Sequence, residues 1–382
     1  MKEYKIIYLV GNGFDINVLS SLNQSPNTSY NHFYNFIKFA HPECDNILIK
    51  EMDNRKKSGE ENWADFEFIV GELAHSSVSF KLRAALKEFQ NYFSEFLNTI
   101  VTPSFLRYLD TYATQNDFFK SSISQFLGDL NYDITKCYLA KEFTHYNILD
   151  IKFLNFNYTN LLDNLVYLDK ENFEPLKWNS GNNFEFHVNP LLIKGVHIEN
   201  PNKFCKVKSE VLHPHGRQEV PRSILFGEGR NEKSEFSKPY LGRYDEKYGA
   251  LFSNAALYVV YGMSISKTDS WWWRNILWNI QFAKGKSQLV IYNFLGKKDD
   301  YEQNHGYAYN PQKETERVLK KLVTSSVYFD YFKKPGTIYS TGNWDELSDD
   351  YKHILLNNIF VVNYFSDEIQ PRLFNMKQLI ND

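Results

Sequence analysis

Read as a series of apolar and polar positions, the chain has two textures. Short runs rich in Ile, Val, Tyr and Phe recur at 5–10, 150–156, 193–198, 223–227, 255–262, 287–294 and 359–364. Several of them empty into a glycine or polar turn and then a helical spacing. Continuous apolar runs of this length mark strands buried on both faces, so the pattern predicts a parallel α/β sheet. Residues 29–147, between the first two runs, are different. Their apolar positions repeat near every 3.6 residues in YNHFYNFIKFA, NWADFEFIVGEL and FKLRAALKEFQNYFSEFLNTI, which predicts helices. Ser29 stands where an N-cap precedes the first helix, and Pro103 where another begins. The expected fold class is therefore α/β, a parallel sheet with helices on both faces and a large all-helical insertion after the first strand and helix.

Three segments carry weaker signals. Residues 50–62, KEMDNRKKSGEEN, are polar and charged and read as a solvated loop. Residues 330–358 hold Pro335, Gly336 and Gly342 and read as a connection or lid-like loop before a final strand and helix. In the run Trp271-Trp272-Trp273, consecutive helical residues point about 100° apart, so one core stripe cannot hold all three. Two readings follow, packing of the insertion against the sheet or a subunit interface, where Trp is enriched. We expect the interface and hence a homo-oligomer.

Composition narrows the function classes. With 382 residues, 43% of them apolar, the chain has ample material for a core. Its net charge of −3 excludes a global basic field for nucleic acid. No run approaches a membrane span, and MKEYK lacks the apolar core of a secretory signal, so the expected location is cytoplasmic, with no membrane partner. Cys44, Cys137 and Cys205 are odd in number and far apart, which argues against disulfides and against a four-cysteine zinc site. No metal is expected. Aromatic residues make up 17% but are not set among Lys and Arg, a distribution that suits core filling.

Candidate chemistry gathers at the carboxyl ends of the predicted strands, where open α/β sheets bind ligands. The first run ends in Gly11-Asn12-Gly13-Phe14-Asp15, a turn whose glycines permit close backbone approach and whose following helix terminus offers N–H groups to an anion. A third glycine is missing, since position 16 is Ile16, and Asp15 places a carboxylate where phosphate would be repelled. KFLNFNYTNLLDNL delivers Asn155, Asn157 and Thr159. LHPHGRQEVPRSILFGEG holds His213, His215, Gly216, Gly227 and Glu228. ALYVVYGMSISKTD carries Gly262, Ser264 and Asp269, and QLVIYNF ends near Asn293. A histidine titrating near ~6.5 is the natural base at cellular pH, and Asn157 is placed to hold a water. Asn157 and Thr159 also suit helix capping. Asp15 is open between a ribose clamp, a catalytic acid and an ordinary acidic helix start.

The ordered set resembles the AbiH family of bacterial abortive-infection proteins. The matching elements are Gly11 to Asp15, Trp63-Ala64-Asp65-Phe66-Glu67, Asn157-Tyr158, His215-Gly216 and Gly262-Met263-Ser264. More distantly it is similar to sirtuin-type NAD-consuming folds, through Gly11-Asn12-Gly13, Asn157, His215-Gly216, Phe226-Gly227-Glu228 and Gly262-Met263-Ser264. The resemblance implies a Rossmann-like nucleotide-binding domain over 1–28 and 148–382, with 29–147 as the insertion. It implies an antiphage defence enzyme, of NAD glycohydrolase type, that hydrolyses NAD or a related nucleotide at the nicotinamide–ribose bond when a phage-derived or host trigger is sensed. His215, Asn157 and Asp15 are then the catalytic candidates. Gly11, Asn12, Gly13, Phe14, Asn155, Thr159, Gly216, Gly227, Glu228, Gly262, Ser264, Asp269 and Asn293 are the candidates for holding the nucleotide. The paired Cys-x-x-Cys zinc module of sirtuins is absent, and Thr159 replaces the Asp that closes the Asn segment, so deacylation is not implied. Two rivals stand beside this reading. One is a non-catalytic nucleotide-sensing module. The other is a nuclease using Asp15, Asp65 and Glu67 as ligands for a hard cation.

Overall fold

The computed structural model describes residues 1–60, 63–76, 79–115, 117–173, 184–188, 202–226, 244–326 and 342–376. Seven strands in these segments form one sheet, β1 (Glu3–Val10), β2 (Ile148–Asn155), β3 (Phe184–His187), β4 (Asn202–Leu212), β5 (Ala255–Tyr261), β6 (Gln288–Phe294) and β7 (Ile359–Tyr364), in the order β3-β4-β2-β1-β5-β6-β7. Every pairing is parallel except that of β3 with β4. The chain builds outward from β1 on one side through β2 and β4, then returns to the other side at β5. That reversal makes the carboxyl ends of β1, β2 and β5 the crevice of the sheet. Val10 is in register with both Asn155 and Tyr261, so the three strands end at one level.

Helix α1 (Gly13–Ser21) follows β1, and the insertion runs through α2 (Tyr30–Ala40), α3 (Ile47–Ser58), α4 (Phe66–Ala74), α5 (Ser79–Ile100), α6 (Pro103–Gln115), α7 (Phe118–Gln125), a 3₁₀ stretch at 126–136 and α8 (Tyr138–Glu142). Ser29 caps α2 by accepting from the His32 N–H, and Pro103 opens α6. After β2 come α9 (Leu161–Leu168) and α10 (Lys170–Phe173), and later α11 (Tyr244–Phe252), α12 (Ser270–Phe282), α13 (Lys298–His305), α14 (Pro311–Ser325) and α15 (Asp349–Asn358). Period-two alternation along β1 sends Ile6, Tyr8 and Val10 to one core and Ile7 and Leu9 to the other. Insertion residues such as Phe33, Phe89 and Phe126 join the first core, while α11, α12, α14 and α15 supply the second. Both faces are thereby covered, which is why the strands read as unbroken apolar runs.

Several expectations are corrected. Residues 50–58 are not a loop but most of α3, because Arg55 turns inward and pairs with Glu51, Glu60 and Glu72. Residues 223–226 are not a strand: the Gln90 side chain on α5 donates to the Ile224 carbonyl, and Ile224 and Phe226 pack into the insertion core instead of a sheet. Strands β3 and β4 go unpredicted, since the 11-residue β4 carries lysines and a glutamate through its length. The 193–198 run lies outside the described residues. Part of the 330–358 segment forms α15, and residues 365–376 after β7 contain no helix. That tail is anchored at Asp129, which accepts from the N–H groups of Arg372 and Leu373 and from the Tyr292 hydroxyl. Burial pushes the Asp129 carboxyl up to about 6 against those hydrogen bonds. No helix among the described residues is long and apolar enough to cross a membrane.

The tryptophan run is also corrected. All three indoles are buried within the chain, because α12 is packed by α11, α14, α15 and β6 and has no solvent-facing side at its first turn. Trp271 and Trp272 meet Phe252, and the Trp273 N–H donates to the Ser266 carbonyl at 3.0 Å. These indoles are therefore unavailable to a second subunit.

At the crevice, the turn after β1 lies against the turn after β5. The Gly13 N–H donates to the Gly262 carbonyl at 2.8 Å. A Cβ on Gly262, which has φ +65°, would come within 2.5 Å of the Phe14 nitrogen, and one on Gly11 or Gly13 within 2.6 Å of the opposing backbone. Gly262→Ala therefore combines left-handed strain with a backbone collision and should cost about 3 kcal/mol or more. Equilibrium chemical denaturation measures it, and a loss under about 1 kcal/mol would show that the two turns separate freely.

Candidate functional site

Because β1, β2 and β5 end at one level, the turns at 11–13, 156–159 and 262–269 converge, joined by 213–216 after β4. Their side chains and the inner face of the insertion enclose a cleft of about 950 Å³, at the upper end of the range for small-molecule sites. Gly11, Asn12, Asp15, Asn157, Thr159, His215, Gly262, Ser264 and Asp269 all line it. The insertion contributes Tyr30, Asp65, Glu67, Phe68, Glu72 and His75. Most of the candidates, separated by up to 258 positions in sequence, thus share one cavity.

The structure gives other candidates different work. Gly13 faces Gly262, and Phe14 is buried edge-on against Phe374. Asn155 is buried behind the cleft. Gly216, at φ +89°, sits so close to Ser223 that a Cβ would lie 1.9 Å from its carbonyl oxygen. Asn293 is held by Glu314 and Asn363 at 2.9 and 2.8 Å, two strands away from β1, and does not line the cleft. Gly227 and Glu228 lie outside the described residues. The anion cradle expected at the start of α1 has part of its donor set already engaged. The Gly11 and Gly13 N–H groups already donate to the carbonyls of Tyr261 and Gly262 at the end of β5, and those of Phe14 and Ile16 to Gly11 and Asn12 of the same turn, so four donors of the segment are committed within the protein. Asn12 is likewise engaged, exchanging hydrogen bonds with Thr28.

What the cleft does contain is polar and incompletely satisfied. Asp15 is 1% exposed. Its Oδ2 accepts a 2.6 Å hydrogen bond from the Thr159 hydroxyl, while Oδ1 has no partner among the described residues. Burial pushes this carboxyl up to about 7, the charge of Asp163 adds to the rise, and the Thr159 hydrogen bond opposes it. Asn157 is 3% exposed, and neither its Oδ1 nor its Nδ2 has a partner among the described residues. Only its backbone N–H is fixed, donating to Asn155 Oδ1 at 3.1 Å. Leaving buried polar atoms unpaired costs about 1–3 kcal/mol, and here the unpaired atoms belong to residues that line one cavity. A ligand that hydrogen-bonds Asn157 and Asp15 would recover that cost.

His215 is 6% exposed and lines the same cleft. Its ring stands edge-on to Phe156, centroids 5.0 Å apart, and Phe156 stands edge-on to Trp272 at 5.1 Å. The Trp run thus acts on the site as a rigid backing for His215. Phe156, a cleft-lining residue, escaped the sequence reading because an aromatic at the end of an apolar strand looks like more core. Ser266, Lys267 and Thr268 were missed as well, though their place beside the Gly-x-Ser turn was the available signal. Charged lining residues are mostly acidic: Asp15, Asp65, Glu67, Glu72 and Asp269 face a single lysine, Lys267, among the described residues. Asp65 also caps α4, accepting from the Phe68 N–H at 3.1 Å. No group of three His, Cys, Asp or Glu side chains among the described residues converges at metal-holding distances. Asp15, Asp65 and Glu67 thus share a cavity without forming a common ligand set, and the nuclease reading loses its geometric basis.

Residues 7–294 match the family model described as "Bacteriophage abortive infection AbiH", a span that holds every cleft-lining residue. No curated protein matches the chain.

Two stability experiments follow from the buried polar groups. Asn157→Leu keeps the volume and removes both unpaired atoms, so the ligand-free protein should be as stable as wild type or more stable by about 1 kcal/mol. A destabilisation of 2 kcal/mol or more would show that the amide already has partners. For Asp15, the folded value near 7 lies above the unfolded value near 3.8. Its effect on stability is nil at low pH, where both states hold the proton. As pH rises from about 4 to 7 the unfolded chain releases it first, and wild type loses stability. Asp15→Asn should therefore outlast wild type by a margin that grows over that range, to at most about 4 kcal/mol, and then levels off. Paired denaturation curves at pH 4, 5.5 and 7.5 measure the margin, and a constant gap would contradict the buried, uncompensated carboxyl.

Proposed function

The chain belongs to the AbiH family of bacteriophage abortive infection proteins, and we propose that it acts in that defence as a nucleotide hydrolase cleaving the nicotinamide–ribose bond of NAD or a close relative. The observation that carries this reading is the shared cavity of Asp15, Asn157 and His215, with buried polar atoms of the first two left open to a ligand. Cleavage of an N-ribosyl pyridinium starts from a cation and passes through an oxocarbenium-like state, as glycoside hydrolysis does. An acidic, water-restricted lining stabilises such charge, and a ring of arginines around the reacting carbon would oppose it. The charge census of the cleft lining, five carboxylates and Lys267 among the described residues, supports a ribosyl pyridinium there more than a polyphosphate. Ser264, Ser266, Lys267 and Thr268 of the turn after β5 are the described groups suited to the anionic diphosphate.

In this reading Asn157 holds the attacking water or a ribose hydroxyl through its open amide. The C–N bond breaks with its electron pair going to nicotinamide, water oxygen bonds to the anomeric carbon, and the water proton passes to the protein. Asp15 and His215 are the two titratable groups of the cleft placed to receive it. Asp15, with a carboxyl near 7, has the matched basicity that a general base needs at neutral pH. Phe156 and Trp272 keep His215 from rotating away.

Purified protein incubated with NAD, with and without extract from phage-infected cells, should release nicotinamide and ADP-ribose in equimolar amounts. Asn157→Ala, Asp15→Asn and His215→Ala should each lower that release by about 10²-fold or more. Absence of release from wild type in both conditions would overturn the hydrolase reading. Ligand-induced thermal stabilisation without release would identify the cleft as a nucleotide sensor.

A further inference from the structure

Behind the cleft lies a second polar layer that contributes nothing to its lining. His213, just past the end of β4, points its Nε2 at Asp163 on α9, 2.9 Å from both carboxylate oxygens. A carboxylate only accepts, so Nε2 carries the proton. The His213 side chain is buried, and the Arg217 guanidinium adds a 3.4 Å contact from the exposed side. Asp163 Oδ2 also receives Asn155 Nδ2 at 3.3 Å. Asn155 in turn holds both ends of the next turn, donating to the Thr159 carbonyl at 3.3 Å and accepting the Asn157 N–H at 3.1 Å. Thr159 completes the chain with its hydroxyl on Asp15. A continuous run of hydrogen bonds therefore leads from His213 through Asp163 and Asn155 to Asn157, Thr159 and Asp15.

Stability alone gives little reason for such a layer. A polar pair taken largely out of water loses in desolvation about what it gains in attraction, and an apolar pair of similar volume would hold the end of β4 to α9 as well. Its directional property is different: Asp163 is fixed by His213, and an Asn155 amide fixed by Asp163 can hold residues 156–159 in only one conformation. We propose that His213 and Asp163 are positioning residues, a pair whose work is to hold the Asn155 turn so that Asn157 and Thr159 face the cleft. Asp163 keeps its charge through the neutral range, since His213, Arg217 and Asn155 hold its carboxyl below the usual range against the opposing effect of burial. That charge also acts on Asp15, so the pair influences both the geometry and the protonation of the cleft.

The proposal rests on the hydrolase reading for its turnover measurement only. In active wild type, His213→Ala should lower kcat/KM by about 10–100-fold, the range typical of removing a group that orients a site residue. His213→Gln, which keeps a donor toward Asp163, should restore most of it. Asp163→Asn should move the acidic limb of the pH–rate profile to lower pH, because removing its charge lets Asp15 ionise earlier. Unchanged kcat/KM and pH profile in the variants, accompanied only by lower thermal stability, would overturn the proposal. Should wild type release no nicotinamide, the hydrolase reading falls alone, and crystal structures of wild type and His213→Gln and His213→Ala decide the rest. Displacement of Asn157 and Thr159 by about 1 Å, a shift that matters for a positioned reaction, in His213→Ala but not in His213→Gln supports positioning. An unmoved turn in both overturns it.

Discussion

The site depends on one close backbone contact, the turn after β1 resting on the turn after β5. Two adjacent parallel strands that end at one level deliver their chains into the same small volume, and side chains there would force them apart. Gly11, Gly13 and Gly262 let the backbones meet, with the Gly13 N–H bonded to the Gly262 carbonyl. This contact fixes where α1 starts and therefore where Asp15 points. It also uses the Gly11 and Gly13 amide donors, two of those that a phosphate-binding turn of this kind would offer a ligand. A sequence pattern familiar from nucleotide cradles here works as a hinge-free floor, and the chemistry moves from backbone donors to the side chains around it.

Those side chains are held in an energetically unfavourable state. A carboxyl buried without a cation and an amide with both polar atoms unpaired subtract from stability, and the surrounding apolar packing must outweigh them. The offset is visible on both faces of the sheet. On one, Phe66 and Phe89 stack at 3.9 Å, and Phe93 meets Tyr158 edge-on at 5.3 Å. On the other, Trp271, Trp272 and Phe252 pack ring against ring. Tyr158 lies between Asn157 and Thr159, so the phenylalanine cluster grips the turn that carries two of the polar groups. Phe156 connects the same turn to the tryptophans. A residue at each step of 156–159 thus belongs either to the rigid packing or to the polar cleft.

The insertion forms a wall of the site as well as a core of its own. Helix α4 contributes Asp65, Glu67, Phe68 and Glu72 to the cleft. Helix α5 ties down the segment after β4, with Ser94 donating to the Gln218 carbonyl at 2.6 Å and Gln90 to that of Ile224. Movement of the insertion would be felt at His215 and Tyr158 through these contacts. Family membership assigns the chain to phage abortive infection, and such coupling gives a helical insertion a physical route to the cleft.

Much of this was legible in the sequence, and the limits follow from physics. Unbroken apolar runs disclosed β1, β2, β5 and β6, because a strand buried on both faces has no polar side to show, and also β7, an edge strand whose run IFVV is apolar although it is only partly buried. Spacing of 3.6 disclosed the insertion helices, and Ser29 and Pro103 marked two of their starts. Asp15, Asn157, Thr159, His215 and Ser264 were found because polar residues at strand ends stand out against an apolar background. β4 was hidden because a strand near the edge carries charges, and α3 because its charges pair with one another. Only the tertiary structure decided which polar groups are buried without partners, since burial depends on what other segments place around a residue. It decided likewise that the Gly-x-Gly turn docks on the end of β5, that three consecutive tryptophans all face inward, and that Asn293 lies two strands from β1 and does not line the cleft. Each of these is a distance between residues far apart along the chain, and local sequence pattern carries no such information.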